Sequence, residues 1–149
     1  MAPLALPKVE RGAVIYFDFA SLDDRPTSAA ATRGRVTAVL FVTTYGDPSI
    51  LAARFLTKVY REHTPRFNAL AVFLERVENR PLARIFRDSL ALPFASAMAD
   101  ADSIAGKGAF PGVDTVPTLV VLDAVGRESF RKVGIAKPDE IVRVLRAAE

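Results

Sequence analysis

The chain contains no cysteine and a single histidine, and these two counts limit its chemistry before any fold is considered. Without a thiol there is no disulfide framework, no thiolate nucleophile, no iron–sulfur cluster and no cysteine zinc site. A Ser–His–Asp triad or a histidine metal site would have to be built around His63. That residue falls in Tyr60-Arg61-Glu62-His63-Thr64-Pro65, where a helix must stop before the proline. A cation there suits the negative end of the helix dipole. The acidic groups Asp23-Asp24 and Asp100-Ala101-Asp102 lack the spacing of a calcium loop and read as solvated turns. No metal site and no cofactor are therefore expected. What remains is Tyr45-Gly46-Asp47-Pro48-Ser49, which reads as the start of a helix. Its free amides could meet an anion or a peptide, or else Asp47 and Ser49 simply cap the helix.

The elements that must position this loop follow from the apolar pattern. Residues 13–19 hold Val14, Ile15, Tyr16, Phe17 and Phe19, a run of β-formers that predicts a strand. Residues 21–25 read as a turn, 28–32 as a short connection and 33–35 as another turn. Residues 36–42 are β-branched and almost wholly apolar, as in a central strand covered on both faces. Pro48 suits the first turn of a helix, which carries Leu51, Phe55 and Val59 at four-residue spacing. Residues 69–74 predict a second buried strand. Asn79 and Pro81 open a second helix, with Leu82, Ile85, Phe86, Ser89 and Leu90 inward and Arg80, Arg84 and Arg87 outward. Residues 93–96 read as extended, and 100–107 as holding a helical turn before a glycine-rich loop. Residues 118–122 form a strand, and Asp123-Ala124-Val125-Gly126 turns it into 127–133. Pro138 opens a last helix on Ile141, Val144 and Leu145. The order β–β–α–β–α–β–β–α argues for an α/β layered domain with parallel pairs, and the final hairpin makes the sheet mixed.

Composition agrees with one globular domain. At 149 residues a chain buries roughly 68–70% of its unfolded surface. Half the residues are hydrophobic and a quarter charged. The expected organisation is an arm over 1–12 and a domain over 13–149. The net charge of +3 is carried by scattered arginines with no interleaved aromatics, which argues against a nucleic-acid partner. No apolar run approaches the roughly 20 residues of a membrane span. The first six residues are too short for a secretory core and lack a basic lead-in. As it stands the chain reads as cytoplasmic, or as exported if a leader has been removed.

Several strings, over about residues 13 to 149, resemble the thioredoxin-like superfamily, in particular its redoxin branch of TlpA-like and AhpC/TSA-like proteins. They are Val116-Pro117-Thr118, Leu119-Val120-Val121-Leu122-Asp123, Gly126-Arg127, Val133-Gly134 and the Pro138 helix, with Arg33-Gly34-Arg35-Val36 and Leu92-Pro93-Phe94 upstream. The resemblance implies a three-layer α/β domain with a central mixed sheet flanked by helices. It also implies a cis bond before Pro117, facing the active-site loop. In that family the loop reads Phe-Trp-Ala-Thr-Trp-Cys-Pro-Pro-Cys; here it reads Phe41-Val42-Thr43-Thr44-Tyr45-Gly46-Asp47-Pro48-Ser49. Gly46 stands for the attacking cysteine, Ser49 for the resolving one, and Leu40 for the buried acid of thioredoxins proper.

The chemistry of thiol exchange starts from a thiolate stabilised at a helix N-terminus. Gly46 has nothing to ionise, and the Ser49 hydroxyl has no base beside it, so neither disulfide exchange nor a peroxidatic reaction is available to this loop. The resulting expectation is a redox-inactive thioredoxin-like domain that binds a protein or extended peptide through the former active-site face. That face is Tyr45, Gly46, Asp47, Pro48 and Ser49 beside Val116, Pro117 and Thr118, where strand addition would supply the contact. The alternative is an oxidoreductase of the same family that works only with a partner's thiols.

Overall fold

The computed structural model describes residues 12–149; the arm expected at 1–12 therefore lies, apart from Gly12, outside the described residues. Six strands form one mixed sheet in the order β1-β4-β3-β2-β5-β6. They are β1 (Ala20–Ser21), β2 (Thr37–Val42), β3 (Asn68–Phe73), β4 (Ala95–Met98), β5 (Thr118–Leu122) and β6 (Glu128–Val133). Strands β2, β3 and β4 run parallel, while β1, β5 and the β5–β6 pair are antiparallel to their neighbours. The helices are α1 (Ala29–Thr32), α2 (Asp47–Glu62), α3 (Arg80–Ser89), α4 (Ala101–Ile104) and α5 (Pro138–Ala148).

Strand β2 is buried along its whole length, which is why its sequence shows no polar alternation. Its side chains still alternate between two cores. Ala38, Leu40 and Val42 meet α2, α3 and α5 through Leu56, Phe86, Ile141 and Leu145. Val39 and Phe41 face the other way, onto Phe17, Phe19, Phe110 and Val113. The three long helices thus share one face. The second face is covered by segment 17–29, the short helices α1 and α4, and the loop that follows α4.

Several expectations are corrected. Residues 13–19 are not a regular strand: Val14 and Asp18 make isolated bridges to Arg127 and Ser28. The alternation of Phe17 and Phe19 instead lays two rings over the sheet, stacked at 5.6 Å. β-propensity here reflects a fit to a half-buried surface rather than a place in the ladder. Ladder pairing begins only at β1, beside β4. The connection at 28–32 contains α1, whose first turn is capped by the Ser28 hydroxyl accepting from Ala31 N. The extended piece at 93–96 becomes part of a strand, β4, pairing with β3.

Two helix faces also turn. In α3 the buried residues are Ala83 and Phe86, whereas Leu82 and Ile85 are 51% and 62% exposed. Small Ala83 lets the helix approach the sheet, and Phe86 meets Phe73 edge-on at 5.4 Å. In α2 the core line is Ala52, Ala53, Leu56 and Val59, while Leu51 is exposed. In both helices alanines set the distance of approach, a role that counting large apolar residues does not register.

Candidate functional site

The register of β2 against β5 pairs Phe41 with Thr118. The loop leaving β2 and the segment entering β5 consequently sit at one pole of the sheet. Gly134 joins them there, its amide donating to Pro117 O at 2.8 Å. The Val116–Pro117 peptide is cis. The fold thus gathers the two stretches singled out in the sequence, residues 45–49 and 116–118, from positions some seventy residues apart.

Within the loop the hydrogen bonds point inward. Thr43 N donates to Ser49 Oγ at 3.2 Å, and Thr43 Oγ1 donates to Tyr45 O at 2.9 Å. Ser49 is 2% exposed, so its hydroxyl ties the helix to the end of β2 instead of facing a ligand. Thr118 is likewise buried, and its hydroxyl donates to Thr115 O at 2.6 Å. The exposed part of the candidate face is Tyr45, Gly46, Asp47 and Pro48, with Val116 half-buried and Pro117 buried beneath. Tyr45 stands 70% exposed.

The start of α2 differs from the expected cap. Gly46 occupies the N-cap, with Asp47 and Pro48 in the first turn and no side chain bonded to the free amides. The carboxylate of Asp47 complements the dipole by position alone. Gly46 adopts φ 92°, ψ 131°, a conformation that glycine reaches at little cost and side-chain-bearing residues do not. A Cβ there would meet nothing nearer than Pro48 Cδ at 3.9 Å, so the obstacle is the backbone, not a clash. Gly46→Cys is accordingly expected to lower the unfolding free energy by about 1–3 kcal/mol. Urea unfolding of the reduced variant measures this, and an unchanged midpoint and slope would show that the loop takes a side chain without strain.

One residue of this pole was missed by sequence reasoning. Glu75 lies just past β3, is buried, and its Oε1 accepts from both the amide and the hydroxyl of Thr44, the latter at 2.9 Å. Its Oε2 accepts from Asn79 Nδ2 at 3.1 Å and stands 3.1 Å from Thr44 Oγ1. This carboxylate fixes the loop between β2 and α2 to the turn before α3. The pairing of β3 parallel to β2 is what brings this acid to the same pole as the loop after β2.

Beside the loop lies an open depression of about 520 Å³ lined by Asp47, Pro48, Ile50, Leu51, Arg54 and Ile135. Its walls are largely aliphatic, with one acid and one base. Among the described residues no group of three or more acidic or histidine side chains could hold a metal ion, and no helix is long and apolar enough to cross a membrane.

No protein-family model matches the sequence, and no curated protein sequence matches it. Solved structures do. A DsbF homologue from Corynebacterium diphtheriae superposes with a TM-score of 0.79 over 94% of this chain and 88% of its own, at 16% identity. A thiol:disulfide interchange protein of the thioredoxin family from Chlorobium tepidum does so with a TM-score of 0.69, over 93% and 96%, at 23% identity. A secreted Mycobacterium tuberculosis disulfide oxidoreductase gives a TM-score of 0.71 over 88% and 95%, at 18% identity. The chain has the thioredoxin-like fold of these thiol–disulfide oxidoreductases, and it has no cysteine.

Proposed function

We propose that the protein is a redox-inactive thioredoxin-like domain that holds an extended segment of another protein against the pole formed by residues 45–48 and 116–117. The observation that carries this is the loop itself. It leads straight into a helix, and the resemblance aligns Gly46 and Ser49 of this loop with the two cysteines of a thiol site. Ser49 is committed to Thr43, so it offers no substitute nucleophile.

Binding is supported by the surface around the loop. Leu51 is exposed and lines an aliphatic depression, and Tyr45 is exposed on the loop that precedes it; exposed apolar surface is where partners dock. An extended segment would gain main-chain hydrogen bonds from the stretch before β5 and side-chain burial against Ile50, Leu51 and Ile135. The similarity to a secreted oxidoreductase supports placing this role outside the cytoplasm.

The test uses carboxymethylated insulin B chain as a sulfur-blocked extended peptide. Titrated into the ¹⁵N-labelled protein, it is expected to shift amides of residues 43–49 and 116–118 with a saturable dependence, and Tyr45→Ala is expected to weaken it. The purified chain is expected to reduce insulin disulfides and to consume peroxide no faster than buffer. Shifts centred elsewhere, or thiol-dependent turnover clearly above buffer, would remove this reading.

A further inference from the structure

The opposite pole of the sheet carries a second cleft, of about 390 Å³, within the size range of small-molecule sites. It opens between the start of β2, the end of α2, the approach to β3 and the end of α5. Its walls include Val36 and Phe67, both buried, and its rim carries Arg35 and Arg66. His63 lines it with a side chain only 4% exposed.

The polar groups in this cleft are under-partnered in one direction. His63 Nε2 is buried without a hydrogen-bond partner among the described residues. The nearest acid, Glu149 Oε1, stands 3.6 Å away and lines the same cleft. Burying a ring nitrogen without a partner costs free energy, so such atoms mark where a partner is missing. Among the described residues neither Arg35 nor Arg66 stands within 4.0 Å of a carboxylate in any ion pair. Arg35 and Arg66 thus line a cleft whose other walls are aliphatic and aromatic, with Glu149 on the side of His63. Guanidinium forks bind planar and tetrahedral oxyanions with two parallel hydrogen bonds.

We propose that this cleft is a binding site for a small organic anion. A carboxylate or phosphate head would lie between Arg35 and Arg66 with one oxygen within reach of His63 Nε2, and an apolar body would rest on Val36 and Phe67. His63 and Phe67 meet edge-to-face at 5.8 Å and form the aromatic part of the wall. The site is separate from the peptide-binding pole and does not depend on that reading.

The chain has one histidine, so a proton NMR spectrum shows one imidazole set and reports this cleft directly. Phenyl phosphate is expected to move the His63 ring signals saturably, with a Kd below about 10 mM. Inorganic phosphate should bind more weakly for want of the ring, and phenol more weakly for want of the charge. Arg35→Gln and Arg66→Gln, both at exposed positions, should each weaken phenyl phosphate about tenfold, whereas Arg143→Gln should not. The proposal is overturned if the ring signals do not saturate, if phenol binds as well as phenyl phosphate, if inorganic phosphate binds as well, or if both arginine variants keep the original Kd while their amide spectra show the native fold.

Discussion

Phe41→Ala is expected to lower the unfolding free energy by about 3–5 kcal/mol, a large part of the roughly 5–15 kcal/mol that holds a domain together. Phe41 is fully buried near the end of β2 and points to the face that carries none of the long helices. It meets Phe110 at 5.3 Å and Phe19 at 6.5 Å, both edge-to-face, and Phe17 in turn packs on Phe19 and Phe110. Truncating it removes the ring to which segment 17–19 and the loop after α4 are both fastened. Neither covering segment is a regular element that could slide in to close the gap, so the cavity term is added to the transfer term. Urea denaturation followed by circular dichroism measures the loss. A cost below about 1.5 kcal/mol, the range of well-tolerated core swaps, would mean that the second face does not hold the sheet as described.

Glu75→Ala is the other large effect, about 2–4 kcal/mol. Removing the carboxylate leaves the Thr44 amide, the Thr44 hydroxyl and the Asn79 amide group with nothing to donate to. Three hydrogen bonds are lost together, and the half-buried donors left behind incur a desolvation penalty. Glu75→Gln keeps one oxygen for Thr44 and should cost about 1 kcal/mol, so most of the stability returns with the conservative change. The structural consequence is local. Amides of residues 43–46 should exchange with solvent faster in Glu75→Ala than in Glu75→Gln, because the loop is then fixed only by the Thr43–Ser49 and Thr43–Tyr45 bonds. Equal exchange at those amides in the two variants would show that Glu75 stabilises the turn before α3 without fixing the loop.

Glu75 also shows where sequence reading stopped short. The apolar run ends at Leu74, and an acid after it looks like ordinary solvated surface. Only the parallel pairing of β3 with β2 brings the end of one strand beside the loop of the other and turns that acid into a buried anchor. Residues 13–19 failed in the opposite sense. Their composition favours a strand, yet Phe17 and Phe19 are worth more as cover for Phe41 and Phe110 than as ladder residues. The helix faces went wrong for a third reason: Leu82, Ile85 and Leu51 are large and apolar but exposed, because Ala83, Ala52 and Ala53 are what allow close approach.

Other features were legible because they are local or periodic. The unbroken apolar run of β2, the tight turn at 123–126 and the proline-led helices α2 and α5 each state their structure within a few residues. The absence of a thiol is equally legible, since a residue type absent from the chain is absent from every arrangement of it. The tertiary structure alone decided which groups are neighbours. It buried Ser49 and Thr118 in internal hydrogen bonds, set Gly46 in a conformation that strains a side chain, made Glu75 an anchor of the loop, and opened a cleft around His63 at the far pole. Those outcomes depend on strand order and on the direction each chain segment takes across the sheet, which are long-range pairings that no short window of sequence contains.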